Sequence, residues 1–193
     1  MQKIFQKDQI LTIPNLLSLI RLLLIPLIIH LYVEEEAYLA AAAVIVLSGL
    51  TDIADGIIAR KFHMVSDFGK ILDPVADKVT QGAILLCLGH RFPLIFPLVV
   101  VFVLKECIMS VMGIYVIRKV GDVKGANWYG KANTVFLYAV MMLLILWPTI
   151  YPWLANALII LCFFTVLASF FLYVRFYCRV LAEHKTVAKE QTV

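Results

Sequence analysis

The chain has 193 residues, of which 63% are hydrophobic and 16% are charged, and its formal net charge is +4. This composition excludes an ordinary soluble domain, in which apolar residues make up nearer half of the chain. The basic excess needs no nucleic acid to explain it, because membrane orientation and an anionic lipid surface account for it. The composition therefore predicts an all-α integral membrane protein with a single membrane domain over residues 1–193.

The two ends of the chain differ from its apolar middle. Lys3 and Lys7 stand between apolar residues, a pattern typical of an amphipathic helix on the membrane surface. A frayed terminus fits the same residues, so both interpretations stay open. The polar residues 183–193 predict a disordered tail. Between the ends, six apolar segments have lengths that suit membrane-spanning helices, and they cover residues 14–33, 38–58, 71–88, 93–117, 132–151 and 153–177.

The basic residues predict how these segments are oriented. Six spans put both termini on one side of the membrane, and most Lys and Arg residues fall in the segments on that side. The opposite loops contain three consecutive glutamates, 34–36, and an aromatic turn near Trp147. By the positive-inside rule, both termini are cytoplasmic in a multi-pass protein of the cell membrane.

Charge is concentrated in residues 51–78, which include five aspartates. Asp52 and Asp55 are three residues apart and Asp73 and Asp77 are four apart, spacings that put side chains on one helix face. Two neighbouring helices can therefore direct four carboxylates into one space. Such groups are costly beside lipid unless they are paired or bind metal. With Arg60 suited to hold phosphate, the region predicts a site for divalent cations and phosphate.

The same region resembles the signature of a known family, the CDP-alcohol phosphatidyltransferases, which are integral membrane enzymes of phospholipid synthesis. The resemblance implies a fold with an active site at the cytoplasmic face. It rests on eight residues at fixed spacings, which are Asp52, Asp55, Gly56, Ala59, Arg60, Gly69, Asp73 and Asp77.

This resemblance implies a reaction and the residues that perform it. CDP-diacylglycerol is the expected donor, and a phosphorylated small alcohol attacks it while CMP leaves. Two Mg²⁺ or Mn²⁺ ions are expected on Asp52, Asp55, Asp73 and Asp77, and Asp77 is also expected to take the proton of the acceptor. The residues expected to hold the CDP-lipid are Asn15, Gly56, Arg60 and Ser66.

The sequence indicates the acceptor less precisely than it indicates the donor. Runs in the first, third and fifth segments resemble the family members that use sn-glycerol 3-phosphate, yet members that use phosphatidylglycerol share nearly all of them. Members of the family commonly form homodimers, which makes a dimer an expectation here. The residues considered for binding the acceptor are Lys105, Arg118, Lys131, Arg175 and Arg179.

Several polar residues in apolar segments allow two interpretations. Asn15, Ser18 and Arg21 recur at helical spacing, which fits either a capped helix start with a snorkelling Arg or part of the lipid site. Lys105 and Glu106 lie within the fourth segment, where they fit either an ion pair that fixes packing or an acceptor site. Buried charges and a mid-membrane pair also describe an ion or proton-coupled transporter. Metal-dependent release of CMP from CDP-diacylglycerol separates an enzyme from a transporter.

Overall fold

The computed structural model describes residues 12–62, 69–120 and 128–190, and for Arg60, Lys70, Ile71, Ile117, Tyr129 and residues 184–190 it describes the backbone alone. Throughout these ranges the regular structure is helical, as the composition predicts. The first helix continues into a wider π-helical turn, His30–Glu34. The α-helices are α1 Ile13–Ile29, α2 Tyr38–Lys61, α3 Gly69–Gly89, α4 Ile95–Val120, α5 Trp128–Leu146 and α6 Pro152–Glu190.

Each apolar segment of the sequence falls on one of these helices. Four stretches are long and apolar enough to cross a membrane, namely Ile13–Glu34, Tyr38–Ala59, Ile95–Val120 and Pro152–Glu183. Helix α3 differs from these four stretches because charged residues interrupt its first half. The apolar part of α5, Gly130–Leu146, is shorter than any of the four. The helical, multi-pass character of the protein is therefore confirmed.

Local chemistry explains where α1 begins and ends. The side chain of Thr12 caps its start by accepting a hydrogen bond from the backbone N–H of Asn15 at 3.4 Å. Pro14 occupies the first turn, where its missing N–H costs nothing. Pro26 removes a donor near the other end, and the π-helical turn follows one turn later. Glu36, with φ of 52°, then reverses the chain into α2.

The C-terminal end differs from the sequence prediction. Helix α6 continues to Glu190, whereas a disordered tail is expected from residue 183. Ala182 and Glu183 are strong helix formers, so they extend an existing helix although both are exposed. The predicted interfacial segment and Ser66 lie outside the described residues, as do residues 191–193.

The chain divides into two compact units. Unit 1 comprises Met1–Pro93 and Met141–Ile150, of which α1, α2 and α3 form the largest described part. Helix α1 packs against both α2 and α3. Small residues make the contact surface of α2 narrow, because Ala41 and Ala42 are buried while Leu39 and Leu47 face outward. This arrangement leaves α1 in contact with both helices that carry the aspartates.

Unit 2 comprises Leu94–Val140 and Tyr151–Val193. Helix α4 packs along α6, and the bare backbone of Gly113 lets the Tyr177 hydroxyl approach closely. Gly130 at the start of α5 receives Tyr173 of α6 in the same way. Large apolar side chains such as Val111 and Phe171 are exposed, which is the surface that a bilayer covers.

Candidate active site

Arg21 of α1 is the centre of the polar cluster in unit 1. Its Nη1 lies 2.6 Å from Asp52 Oδ1, and its Nη2 donates to Asp55 Oδ2 at 2.8 Å. The side chain is only 2% exposed, so its charge is balanced by protein carboxylates rather than by water. Because Asp52 and Asp55 are one helical turn apart on α2, the planar guanidinium reaches both at once.

Ser18, one turn before Arg21, connects the second pair of aspartates to the first. Its hydroxyl is fully buried and donates to Asp73 Oδ1 at 2.6 Å, while Asp55 Oδ2 lies 3.3 Å away. Asp55 belongs to α2 and Asp73 to α3, so one hydroxyl of α1 contacts carboxylates of both helices. Asp52, Asp55 and Asp73 are therefore joined by direct contacts through two residues of α1.

Asp77 completes the set from one turn further along α3. It is partly exposed, and its Oδ2 lies 3.7 Å from Lys78 Nζ. The negative charges of Asp73 and Asp77 are both close enough to act on Asp52. The structure thus places the four aspartates of the motif in one region of unit 1.

The chemistry of this region fits divalent cations. All four carboxylates offer oxygen atoms, which Mg²⁺ and Mn²⁺ prefer, and they outnumber the cations Arg21 and Lys78 that the structure places beside them. Asp52 is 46% exposed and so open to an arriving ion, whereas Asp55 is 4% exposed. Among the described side chains no three metal-binding groups converge into a ready-made cage, because Arg21 and Ser18 hold these carboxylates instead.

The predicted CDP-lipid residues are only partly visible. Asn15 is buried in the first turn of α1, one turn before Ser18, and Gly56 follows Asp55 directly on α2. Arg60 lies near the end of α2, where the structure describes its backbone alone. Ser66 lies between α2 and α3, outside the residues that the structure describes. The structure thus brings Asn15 and Gly56 to the helices that carry the aspartates.

The residues considered for the acceptor all lie in unit 2 and have two kinds of surroundings. Lys105 is buried and donates to Glu106 Oε1 at 2.8 Å, which matches the ion-pair interpretation left open by the sequence. The others are exposed cations, namely Arg118, Lys131, Arg175 and Arg179.

Ser18 and Arg21 are the site residues that sequence reasoning did not assign. The snorkelling interpretation of Arg21 is wrong, because its guanidinium is buried against Asp52 and Asp55. Two signals pointed to it: the spacing of three from Asn15 to Ser18 to Arg21, and the need of buried carboxylates for a cation. Neither signal indicates which helix supplies the cation, since that depends on tertiary packing.

Fold and site together define a multi-pass helical membrane protein with a polar site built from carboxylates on two helices and a buried Arg on a third. A family model of the CDP-alcohol phosphatidyltransferases matches residues 11–168. The match extends from the start of α1 into α6 and includes every residue of the cluster. The chain belongs to the CDP-alcohol phosphatidyltransferase family.

Curated relatives carry two different names. A CDP-diacylglycerol–glycerol-3-phosphate 3-phosphatidyltransferase of Aquifex aeolicus is 38% identical over 65% of this chain and 70% of its own length. A CMP-forming cardiolipin synthase of Streptomyces coelicolor is 35% identical over 72% of this chain and 68% of its own length. A cardiolipin synthase fusion protein of Schizosaccharomyces pombe is 45% identical over 44% of this chain, which spans only 14% of that protein.

Proposed function

We propose that this protein is a phosphatidylglycerophosphate synthase, which transfers a phosphatidyl group from CDP-diacylglycerol to sn-glycerol 3-phosphate and releases CMP. The observation that carries the proposal is the grouping of four motif aspartates around Arg21 and Ser18. Family membership supports the donor, and the Aquifex aeolicus relative supports the acceptor.

The reaction forms one bond to phosphorus and breaks another. The acceptor hydroxyl attacks the lipid-side phosphorus of the pyrophosphate, and the bond from that phosphorus to the oxygen of CMP breaks. Asp77 takes the proton of the hydroxyl. Its side chain is partly exposed, so its carboxylate is accessible to the acceptor. Mg²⁺ or Mn²⁺ on Asp52, Asp55, Asp73 and Asp77 would supply positive charge for the pyrophosphate and the leaving group.

Arg21 and Ser18 act as positioning residues in this proposal. The guanidinium fixes Asp52 and Asp55 relative to each other, and the hydroxyl fixes Asp73 relative to Asp55. Carboxylates that are held before substrate arrives lose little freedom when they bind it. Asn15 and Gly56, with Arg60 and Ser66, are proposed to hold the CDP portion.

The proposed setting is the cytoplasmic side of the cell membrane. Six spans with both termini in the cytoplasm are supported by the positive-inside rule, and α4 ends with Arg118 and Lys119 on that side. A soluble acceptor and a lipid donor can meet at such an interface. A homodimer is proposed on the family resemblance.

A second candidate function is cardiolipin synthesis, in which phosphatidylglycerol is the acceptor. The Streptomyces coelicolor relative, whose match covers more of this chain than the Aquifex aeolicus match does, is the observation that favours it. Both functions use the same donor and the same aspartates. Only the acceptor distinguishes them.

The test supplies the purified protein with CDP-diacylglycerol and Mg²⁺ and measures CMP release with each of four acceptors. These are glycerol 3-phosphate, phosphatidylglycerol, inositol phosphate and serine. We expect CMP release with glycerol 3-phosphate at a rate at least about tenfold above the others. Release with phosphatidylglycerol alone would transfer the proposal to cardiolipin synthesis. Absence of release with every acceptor would refute both and favour the transporter interpretation.

Asp77→Asn tests the proton transfer within the same assay. Loss of the base is expected to lower kcat by about 10²–10⁴-fold while CDP-diacylglycerol still binds. Glu35→Gln, which removes an exposed carboxylate outside the cluster, is the matched control and is expected to keep full turnover. Near-normal turnover of Asp77→Asn would remove Asp77 from the role of base.

A further inference from the structure

A groove runs between α5 and α6 within unit 2, and none of its lining residues belongs to the cluster of aspartates and Arg21. Its volume is about 250 Å³, which is room for roughly eight water-sized groups and so for a segment of one acyl chain. Trp128 and Phe136 line it from α5, and Ala168 and Leu172 line it from α6. The lining is therefore mainly apolar, which suits a hydrocarbon chain better than a soluble metabolite.

Three polar side chains, Asn133, Thr165 and Ser169, interrupt the apolar lining, and the Thr165 hydroxyl donates to the backbone carbonyl of Cys162. Asn133 is 7% exposed and Ser169 is 3% exposed, and both line the groove. Asn133 Oδ1 and Ser169 Oγ have no hydrogen-bond partner within the described part of the protein. Buried polar groups are almost always hydrogen-bonded, because an unsatisfied one costs free energy. The Ser169 hydroxyl, which can donate, therefore points to a ligand that carries a hydrogen-bond acceptor.

One end of the groove is basic. Gly130 receives the Tyr173 hydroxyl, so the Trp128 end of α5 lies beside the Leu172 end of α6. Trp128 is 76% exposed, as Trp commonly is where a membrane meets water. Arg175 follows Leu172 by three residues and Arg179 follows Arg175 by four, spacings that continue the groove-lining face of α6. Both are exposed and available to an anion.

We propose that this groove binds an anionic phospholipid. One acyl chain lies between α5 and α6, and an ester carbonyl accepts a hydrogen bond from the Ser169 hydroxyl. The phosphate lies against Arg175. Ser169 precedes Arg175 by six residues, so the two lie roughly 9 Å apart along the helix axis.

The polar contacts decide which lipid is retained. An acyl chain gains little by moving from bilayer hydrocarbon into an apolar groove, because the two surroundings are equally apolar. Selection therefore depends on the hydrogen bond from Ser169 and on the pairing of Arg175 with phosphate. A zwitterionic lipid offers the same esters, but its own cation competes with Arg175.

The experiment measures lipid bound to the delipidated protein by native mass spectrometry. The probes are dioleoyl phosphatidic acid and dioleoyl phosphatidylcholine, neither of which is a donor or acceptor in the proposed reaction, so the result is independent of that reaction. We expect one phosphatidic acid per chain, bound about tenfold more tightly than phosphatidylcholine. Ala168→Trp fills the groove and is expected to weaken phosphatidic acid binding at least about tenfold.

Ala157→Trp is the matched control, because it adds the same side chain at an exposed position of α6 outside the groove, and it is expected to bind like the wild type. Ser169→Ala and Arg175→Gln, which leave packing intact, are expected to weaken binding several-fold each. Each of three results would overturn the proposal: wild-type lipid binding by Ala168→Trp, equal binding of the two lipids, or displacement of phosphatidic acid by inorganic phosphate. A change from dimer to monomer in Ala168→Trp without lipid loss would assign the groove to a second copy instead.

Discussion

Arg21 in unit 1 and Lys105 in unit 2 are both buried cations, and carboxylates neutralise them in different ways. Arg21 pairs with two aspartates of another helix, one turn apart, and stands beside Ser18, which reaches a third aspartate on a further helix. Lys105 pairs with Glu106, its neighbour on the same helix. The contacts of Arg21 and Ser18 connect α1, α2 and α3, whereas the contact between Lys105 and Glu106 lies within α4.

The difference shows which buried charges indicate function. A cation paired with one carboxylate on its own helix forms a pair whose net charge is close to zero, so the pair leaves no excess charge for a ligand. The cluster around Arg21 gathers four carboxylates, and their excess negative charge attracts a divalent metal ion, which would in turn attract a phosphate ligand. Four predictions test this contrast, beginning with the largest effect.

Arg21→Met is expected to destabilise the protein by about 3–5 kcal/mol, because it leaves Asp55 buried without its cation. Thermal unfolding in detergent, followed by circular dichroism, measures the change. Arg118→Met is the matched control at an exposed position, with an expected change within about 0.5 kcal/mol. Equal stability of the two variants would show that Asp55 does not depend on Arg21.

Mg²⁺ is expected to stabilise the wild-type protein by about 2.7 kcal/mol at a hundred times its dissociation constant, since it binds the folded state. Asp73→Asn should lose this gain because it removes a carboxylate of the site, whereas Lys105→Met should keep it. Unfolding with and without the ion, with Ca²⁺ as a comparison, gives the measurement. A gain that survives in Asp73→Asn would remove that residue from the metal site.

Ser18→Ala is expected to cost about 2 kcal/mol, because the Ser18 hydroxyl donates to the charged Asp73 and a hydrogen bond to a charged group contributes about that much. Unfolding of the apo protein reports the loss. Ser110→Ala, which removes an exposed hydroxyl bonded to its own helix backbone, is the control and should change little. Matching losses in the two variants would argue against a bond between α1 and α3 that matters for stability.

Lys105→Met combined with Glu106→Gln is expected to change stability by less than about 1 kcal/mol, because replacing both members of a buried pair is often neutral. We also expect the KM for the acceptor to change less than about twofold in Lys105→Met, since Lys105 is engaged with Glu106. Steady-state kinetics with glycerol 3-phosphate measures it. A tenfold rise would return Lys105 to the acceptor site.

Rules that act within one helix predicted much of this protein. The apolar runs located every described helix, and the spacings of Asp52 with Asp55 and of Asp73 with Asp77 placed each pair on one face. The partner of a buried carboxylate depends instead on how helices pack, so the spacing of Ser18 and Arg21 did not reveal their contacts. The sequence also did not predict where α6 ends, because the polarity of a segment predicts its exposure and says little about whether a helix continues.

The burial of Arg21 also bears on the order in which the chain is made. Ribosomes synthesise α1 before α2, so the guanidinium is present before Asp52 and Asp55 exist. Placing an unpaired Arg at the centre of a membrane helix costs about 2.5–3.5 kcal/mol on the scale of translocon insertion. Helix α1 therefore carries this cost until α2 is made, although the hydropathy of Ile13–Glu34 still suits a membrane span. Pairing with Asp52 and Asp55 removes the cost, so the contacts that organise the site also stabilise α1 in the membrane.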